Sequence, residues 1–134
     1  FANWFKVQAQ EEEAHAMIFS EYLQANGIRV VLDKIEKPTI EWDSFKKPLV
    51  EALKHEQFVT ASIHTIYDEA VKQKDYRTQD LLNWFVKEQL EEELNADTLI
   101  NQFELFAKDG GAGLFLLDKD LSERTFTKPD FEVA

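Results

Sequence analysis

Glu12-x-x-His15 sets a carboxylate and an imidazole one turn apart on a single helix face. Both can then reach one cation, the neutral ring through nitrogen and the carboxylate through oxygen. Alone, such a pair is usually a solvated surface feature, but here it has company. Glu56 interrupts a stripe that is otherwise wholly apolar: Phe45, Leu49, Ala52, Val59, Ile63, Ile66 and Ala70. Glu88 and Glu92 interrupt another, formed by Leu81, Phe85, Ala96, Leu99, Phe103 and Phe106. Glu12 and His15 lie in a third with Phe5, Gln8, Phe19 and Tyr22. Each stripe has the three-four spacing of a bundle helix facing its core. A carboxylate in such a seam is costly unless it is paired, protonated or bound to a cation. Three helices that each carry one read as the lining of a metal site.

Within that site Glu56 is the clearest candidate, because its stripe offers no water. Its two oxygens suit it to bridge two ions; the competing reading is a buried acid bonded to a Tyr or Trp of another helix. The run Glu88-Gln89-Leu90-Glu91-Glu92-Glu93 contains much that belongs on a solvated face. Glu88 and Glu92 are nevertheless four apart on the stripe, with Glu91 at its flank and Glu93 pointing away. Gln89 is expected at the stripe edge, able to hydrogen-bond a metal-bound water or peroxide. Glu11 can edge inward toward an adjacent cation. His55 and His64 fall off the stripes and are expected to be exposed. Met17 reads as core or interface rather than a haem ligand, and Phe5, Phe19, Phe85 and Phe103 as core.

The elements that must position these groups are helices. Gly is 4 and Pro 3 in 134 residues, too few for a turn-rich β fold, while 44% hydrophobic content supports one domain with a core. The first helix is predicted from Phe1 to about Asn26, stopped by Asn26-Gly27. Gly27 to Asp43 has no helical period and reads as a long ordered crossover, held down by its apolar residues. A crossover of this length makes its flanking helices parallel. Ser44 is the predicted N-cap of the second helix, which tolerates Pro48 in its first turns and runs to about Lys74. Asp75 caps the third, from Tyr76 to about Lys108, antiparallel to the second because the turn between them is so short. After Gly110-Gly111, Leu114-Phe115-Leu116-Leu117 with Leu121 predicts a further short helix. Residues 1–124 form the predicted domain, and Thr125 to Ala134 a surface tail.

Composition excludes other classes. Cysteine is absent, which removes disulfides, thiolate zinc sites and Cys nucleophiles. The formal net charge of −11 argues against nucleic acid or an anionic membrane as partner and favours metal cations. No apolar run approaches the length needed to span a bilayer.

Glu11-Glu12-x-x-His15, Glu56 and Glu88-Gln89-x-Glu91-Glu92, at these separations on three helices, resemble the non-haem prokaryotic ferritins. The surrounding words, FANWFKVQAQEE, ALKHEQFVT and LLNWFVKEQLEEE, are similar to that family as well, and the likeness covers residues 1 to about 124. It implies an all-α, ferritin-like four-helix bundle with a long crossover and a short C-terminal fifth helix, assembled as hollow shells of 24 subunits. It implies that Glu12 and His15 hold one iron and Glu56 and Glu92 a second, with Glu12 rather than Glu56 as the bridge. A third iron position would use Glu11, Glu88, Glu91 and Glu92, and Gln89 would stand behind the ligands as a donor. Bacterioferritins and rubrerythrins carry E-x-x-H on both motif-bearing helices. Here the third helix reads Gln89-x-x-Glu92, and Glu13 stands where a haem-binding relative would place Met. Both differences favour a ferritin without haem.

The implied activity is oxidation of Fe(II) by O2 or H2O2 at the di-iron site, with storage of ferric mineral inside the shell. Two alternatives remain: a truncated, catalytically impaired structural subunit of such an assembly, and a rubrerythrin-like peroxidase. The family's first helix, which supplies a further carboxylate and about a quarter of the bundle, has no counterpart in this chain. The chain opens on Phe1 rather than Met, so a segment upstream is expected. A missing N-terminal helix or a partner's helix is expected to fill the groove, and the chain alone is not expected to be a stable monomer. The cytoplasm is the expected location.

Overall fold

In the computed structural model, which describes residues 1–133, four α-helices and one π-helical turn account for all regular structure. Helix α1 spans Ala2–Ala25, α2 Lys46–Gln73, α3 Tyr76–Gln102 and α4 Gly111–Leu121, with the π turn Phe103–Ala107 continuing α3. No helix among the described residues is long and apolar enough to cross a membrane.

The ends of these helices follow from local chemistry. Gly27 adopts φ +72°, which lets the Ile28 and Gly27 amides close onto the carbonyls of Leu23 and Gln24. α2 ends in the same way with Lys74 in the left-handed region, its neighbour Asp75 donating from the backbone to the Ala70 carbonyl at 2.8 Å. Asp75 at once caps α3, accepting from the Thr78 amide at 3.1 Å. Two residues therefore reverse the chain, and α2 and α3 pack side by side antiparallel. The N-cap of α2 differs by one position from expectation. The helix starts at Lys46 after Phe45, and Ser44 contributes from one residue earlier by accepting the Lys47 amide at 3.3 Å.

Two apolar clusters define the packing. Trp4, Leu49, Leu99, Phe103, Ala107, Leu117 and Leu121 form one; Ile18, Ile63, Leu81, Leu82 and Phe85 form the other. The first holds the starts of α1 and α2 with the end of α3, and the second the reverse. α1 and α2 are therefore parallel and α3 runs against them, as the long crossover requires. Between the clusters lie the buried polar residues Gln8, His15, Glu56, Gln89 and Glu92. α4 closes the first cluster. Gly113 lets it approach, since a Cβ there would stand 1.6 Å from the Phe106 carbonyl oxygen.

Several stripe positions depart from expectation. The π turn accommodates an additional residue, so Ala107 takes the core position after Phe103 and Phe106 turns to solvent. On α2, Tyr67 rather than Ile66 packs toward the second cluster, its hydroxyl donating to Asn83 Oδ1 at 3.1 Å. Phe45 is largely exposed at the helix start, its ring 5.3 Å from that of Phe1. Met17 is half exposed. The crossover is not held down by its apolar residues: Val31, Leu32 and Ile35 are 81%, 87% and 95% exposed. The total accessible surface is 9726 Å². A folded monomer of this mass would expose roughly 7,000 Å². The tail is not purely a surface segment either. Phe131 and Val133 pack on the second cluster, Phe131 with its ring 5.4 Å from Trp84. Ala134, its last residue, lies outside the described residues.

Candidate metal centre

The polar layer draws on three helices. α1 supplies Gln8, Glu11, Glu12 and His15, α2 supplies Glu56 and Thr60, and α3 supplies Glu88, Gln89 and Glu92. Helical spacing does most of the positioning: Gln8, Glu12 and His15 are successive turns of one face, as are Gln89 and Glu92. Potential ligand atoms of Glu12, His15 and Glu92 lie within 4.8 Å of one another, so one ion can meet all three. One ring nitrogen of His15, Nδ1, faces Glu12 Oε2 at 3.6 Å, and Nε2 faces Glu88 Oε1 at 3.4 Å. Two buried atoms in this cluster, Glu12 Oε1 and His15 Nε2, have no hydrogen-bond partner among the described residues. Oxygen and imidazole donors left bare in a buried layer suit a divalent transition-metal ion.

Glu56 sits beside this trio, close enough for its charge to act on Glu92 and to be acted on by Glu12. It is 5% exposed, and the amide of Gln89 holds it by donating to its Oε2 and to its backbone carbonyl, both at 3.2 Å. Gln89 is thus a buried anchor rather than an edge residue, because the close α2–α3 pairing turns that flank inward. Glu93 does not point away as expected; its Oε1 accepts from Thr60 Oγ1 at 2.6 Å and ties α3 to α2. Glu91 is exposed and outside the cluster. His55 and His64 are exposed, as their off-stripe positions predict.

Burial dominates the electrostatics. It pushes the Glu92 carboxyl up to about 7, against the hydrogen bond from Gln8 and with the help of the charges on Glu56, Glu12 and Glu11. Burial also raises Glu56, Glu11 and Glu88 above the ordinary carboxylate range. For His15 burial acts downward, but the hydrogen bond and charge of Glu12, with Glu88 and Glu92, more than offset it and the imidazole is raised. Neighbouring carboxylates add to the rise in every one of these groups, and a divalent cation would oppose it.

Two contributors escape a reading of the motif alone. Gln8 is 9% exposed and donates from Nε2 to Glu92 Oε2 at 2.6 Å; its polar interruption of the α1 stripe was the available signal. Arg124 follows α4 and reaches back to Glu11 Oε2 at 2.6 Å. Nothing in the local pattern around Arg124 announces that contact, which arises from the way α4 folds onto the start of α1.

Known proteins are similar to this chain over most of its length. The sequence profile of the ferritin-like domain matches residues 1–106. The bacterial non-heme ferritin of Staphylococcus aureus (strain MRSA252) is 36% identical over 126 residues, covering 94% of this chain and 75% of the relative. That of Bacteroides fragilis (strain 638R) is 34% identical over 124 residues, covering 92% and 76%. Among solved structures, an open pore ferritin from the hyperthermophilic archaeon Archaeoglobus fulgidus superposes with TM-score 0.90 at 39% identity, over 93% of this chain and 76% of that one. A closed form of the Archaeoglobus fulgidus ferritin, engineered by site-directed mutagenesis, gives 0.91 at 41% identity, over 95% and 77%. With an all-helical bundle, a Glu–His–Glu cluster in its middle and relatives matched over most of its length, the chain belongs to the ferritin family.

Proposed function

We propose that this chain is an iron-storage subunit that oxidises Fe(II), its substrate, at a paired-metal site in the polar layer. The carrying observation is the convergence of Glu12, His15 and Glu92 with two bare buried donor atoms, Glu12 Oε1 and His15 Nε2. Glu12 and His15 would hold one iron and Glu56 and Glu92 the other, with Glu12 shared between them. Gln89 would act as the donor that orients Glu56. Glu11, Glu88 and Glu91, with Glu92 shared, would serve a third iron position. Two Fe(II) ions together supply the two electrons that convert one O2 to H2O2, with two protons taken from solvent. H2O2 as oxidant takes the same two electrons to water. Glu92, raised to about 7, releases its proton as the cations bind. Haem has no part in this scheme.

The exposed apolar side chains of the crossover, and the surface well above that of a monomer, support a homo-oligomeric assembly, which for this family means a shell of 24 subunits. Contacts between subunits, or with the helix that supplies the further carboxylate, would cover that surface. Such a subunit would work in the cytoplasm. The test is O2 consumption on adding Fe(II). Glu56→Ala should slow it at least about tenfold, because the second iron loses its α2 ligand. Equal rates for the two proteins would refute the assignment.

A further inference from the structure

Arg124 meets the polar layer from outside the helical bundle. Its guanidinium lies over the Trp4 ring, 5.2 Å from the centroid. One terminal nitrogen donates to Glu11 Oε2 at 2.6 Å; the other donates to Gln8 Oε1 at 2.9 Å and to the Trp4 carbonyl at 3.4 Å. The backbone that carries it is pinned as well. The Asn3 side-chain amide donates to the carbonyls of Leu121, Ser122 and Arg124 at 3.0, 3.2 and 2.9 Å. This arginine is therefore held at its backbone, across the face of its guanidinium and at both ends of its fork.

What it does to Gln8 follows from donor chemistry. A side-chain amide has one accepting and one donating end of nearly equal shape, and either can face a neighbour. A guanidinium has donors only, so it selects the oxygen of Gln8. The donating end is then left for Glu92, whose Oε2 it meets at 2.6 Å. Were the amide reversed, its oxygen would face the carboxylate and repel it. Given that the centre binds paired Fe(II), we propose that Arg124 is a positioning residue of that centre, fixing the Gln8 amide so that it orients Glu92 toward the metal. The link runs Arg124 to Gln8 to Glu92, from the segment after α4 to a ligand in the middle of α3.

The experiment uses Co(II) alone as probe, titrated into the full chain by calorimetry and by visible absorption of the bound ion. Arg124→Ala should weaken Co(II) binding about tenfold, the low end for partners that stand behind a metal ligand, and alter the spectrum. Gln8→Met should cost as much. The double variant should bind no more weakly than Gln8→Met, because the two act through one contact. Arg124→Gln keeps much of the packing over Trp4 but can present either amide end, and should lose as much as Arg124→Ala. Losses that add in the double variant, or an Arg124→Ala protein with unaltered affinity and spectrum, would overturn the proposal. So would full binding by Arg124→Gln, which would reduce the role to packing. If Arg124→Ala loses its helical circular dichroism, the Arg124→Gln and Gln8→Met arms decide. An unaltered chain that binds no Co(II) overturns the paired-metal reading together with this one; normal binding with an indifferent arginine overturns this one alone.

Discussion

Glu92 is the group whose perturbation has the most readable consequence. Its carboxyl is raised from the ordinary 4.5 to about 7 in the folded chain. Below pH 4.5 the group is protonated whether the chain is folded or not, and it contributes no difference. Between pH 4.5 and 7 the unfolded chain releases this proton while the folded chain keeps it, so stability falls as pH rises. Above 7 both states are ionised and the penalty is constant. The gap corresponds to about 3 kcal/mol at 1.36 kcal/mol per pH unit, a large part of the roughly 5–15 kcal/mol that holds an ordinary domain. Glu92→Gln removes the charge but keeps the shape of the protonated acid and can still accept the hydrogen bond from Gln8. In a metal-free, chelator-treated protein, urea unfolding at pH 8 should show the variant more stable by up to about 3 kcal/mol. At pH 4.5 the two proteins should differ little. Excess Zn(II) should reverse the order at pH 8, since only the carboxylate is a good ligand. A variant that is destabilised at pH 8 without metal, or shifted equally at both pH values, would refute the claim that burial of an uncompensated charge governs this layer.

Other consequences are as direct. Zn(II) titration in weak buffer should release more protons at pH 6 than at pH 8, because Glu92 and His15, both raised, must give up their protons to bind; equal release at the two pH values would contradict the raised groups. Gly113→Ala should lower the thermal midpoint, since its new methyl meets the Phe106 carbonyl and forces α4 off the cluster that holds Leu117 and Leu121. Overpacking of this kind costs about 1–3 kcal/mol. Asp75→Ala should cost about 1 kcal/mol through loss of the α3 cap, read by chemical denaturation, with no change in Co(II) binding.

What the chain discloses in advance is what depends on neighbours one or two turns away. Helix periods, the Asn26-Gly27 stop and the Asp75 cap are local, and so is the stacking of Glu12 over His15. The parallel course of α1 and α2 follows from the length of the crossover alone. Errors appear where a third element decides. Phe106 has the right spacing for the core, but the π turn rotates it outward, and α4 docks against that turn through Gly113. Gln89 and Glu93 were placed by their angle on an isolated helix, whereas the closeness of α2 brings both flanks of α3 into contact. The crossover's apolar residues announce burial, and Val31, Leu32 and Ile35 are nevertheless exposed among the described residues.

The same distinction separates the ligands from the residues that make them usable. Ionisable groups that break an apolar stripe are visible because water is the cheaper environment for them. The residues that hold them are not, because a glutamine or an arginine looks ordinary until its partner is known. Without Gln8 and Gln89, both Glu92 and Glu56 would retain the cost of burial and lose the donors that offset part of it. Without a cation the layer stays costly to ionise even with those donors, as the raised Glu92, Glu56, Glu88 and Glu11 all attest. The two apolar clusters on either side carry that cost, and their burial is what permits such a layer to exist in the middle of a folded bundle. A site that is expensive when empty is one that binds its ion with the released energy. The fold's stability and the centre's affinity for metal are for that reason two readings of one free energy.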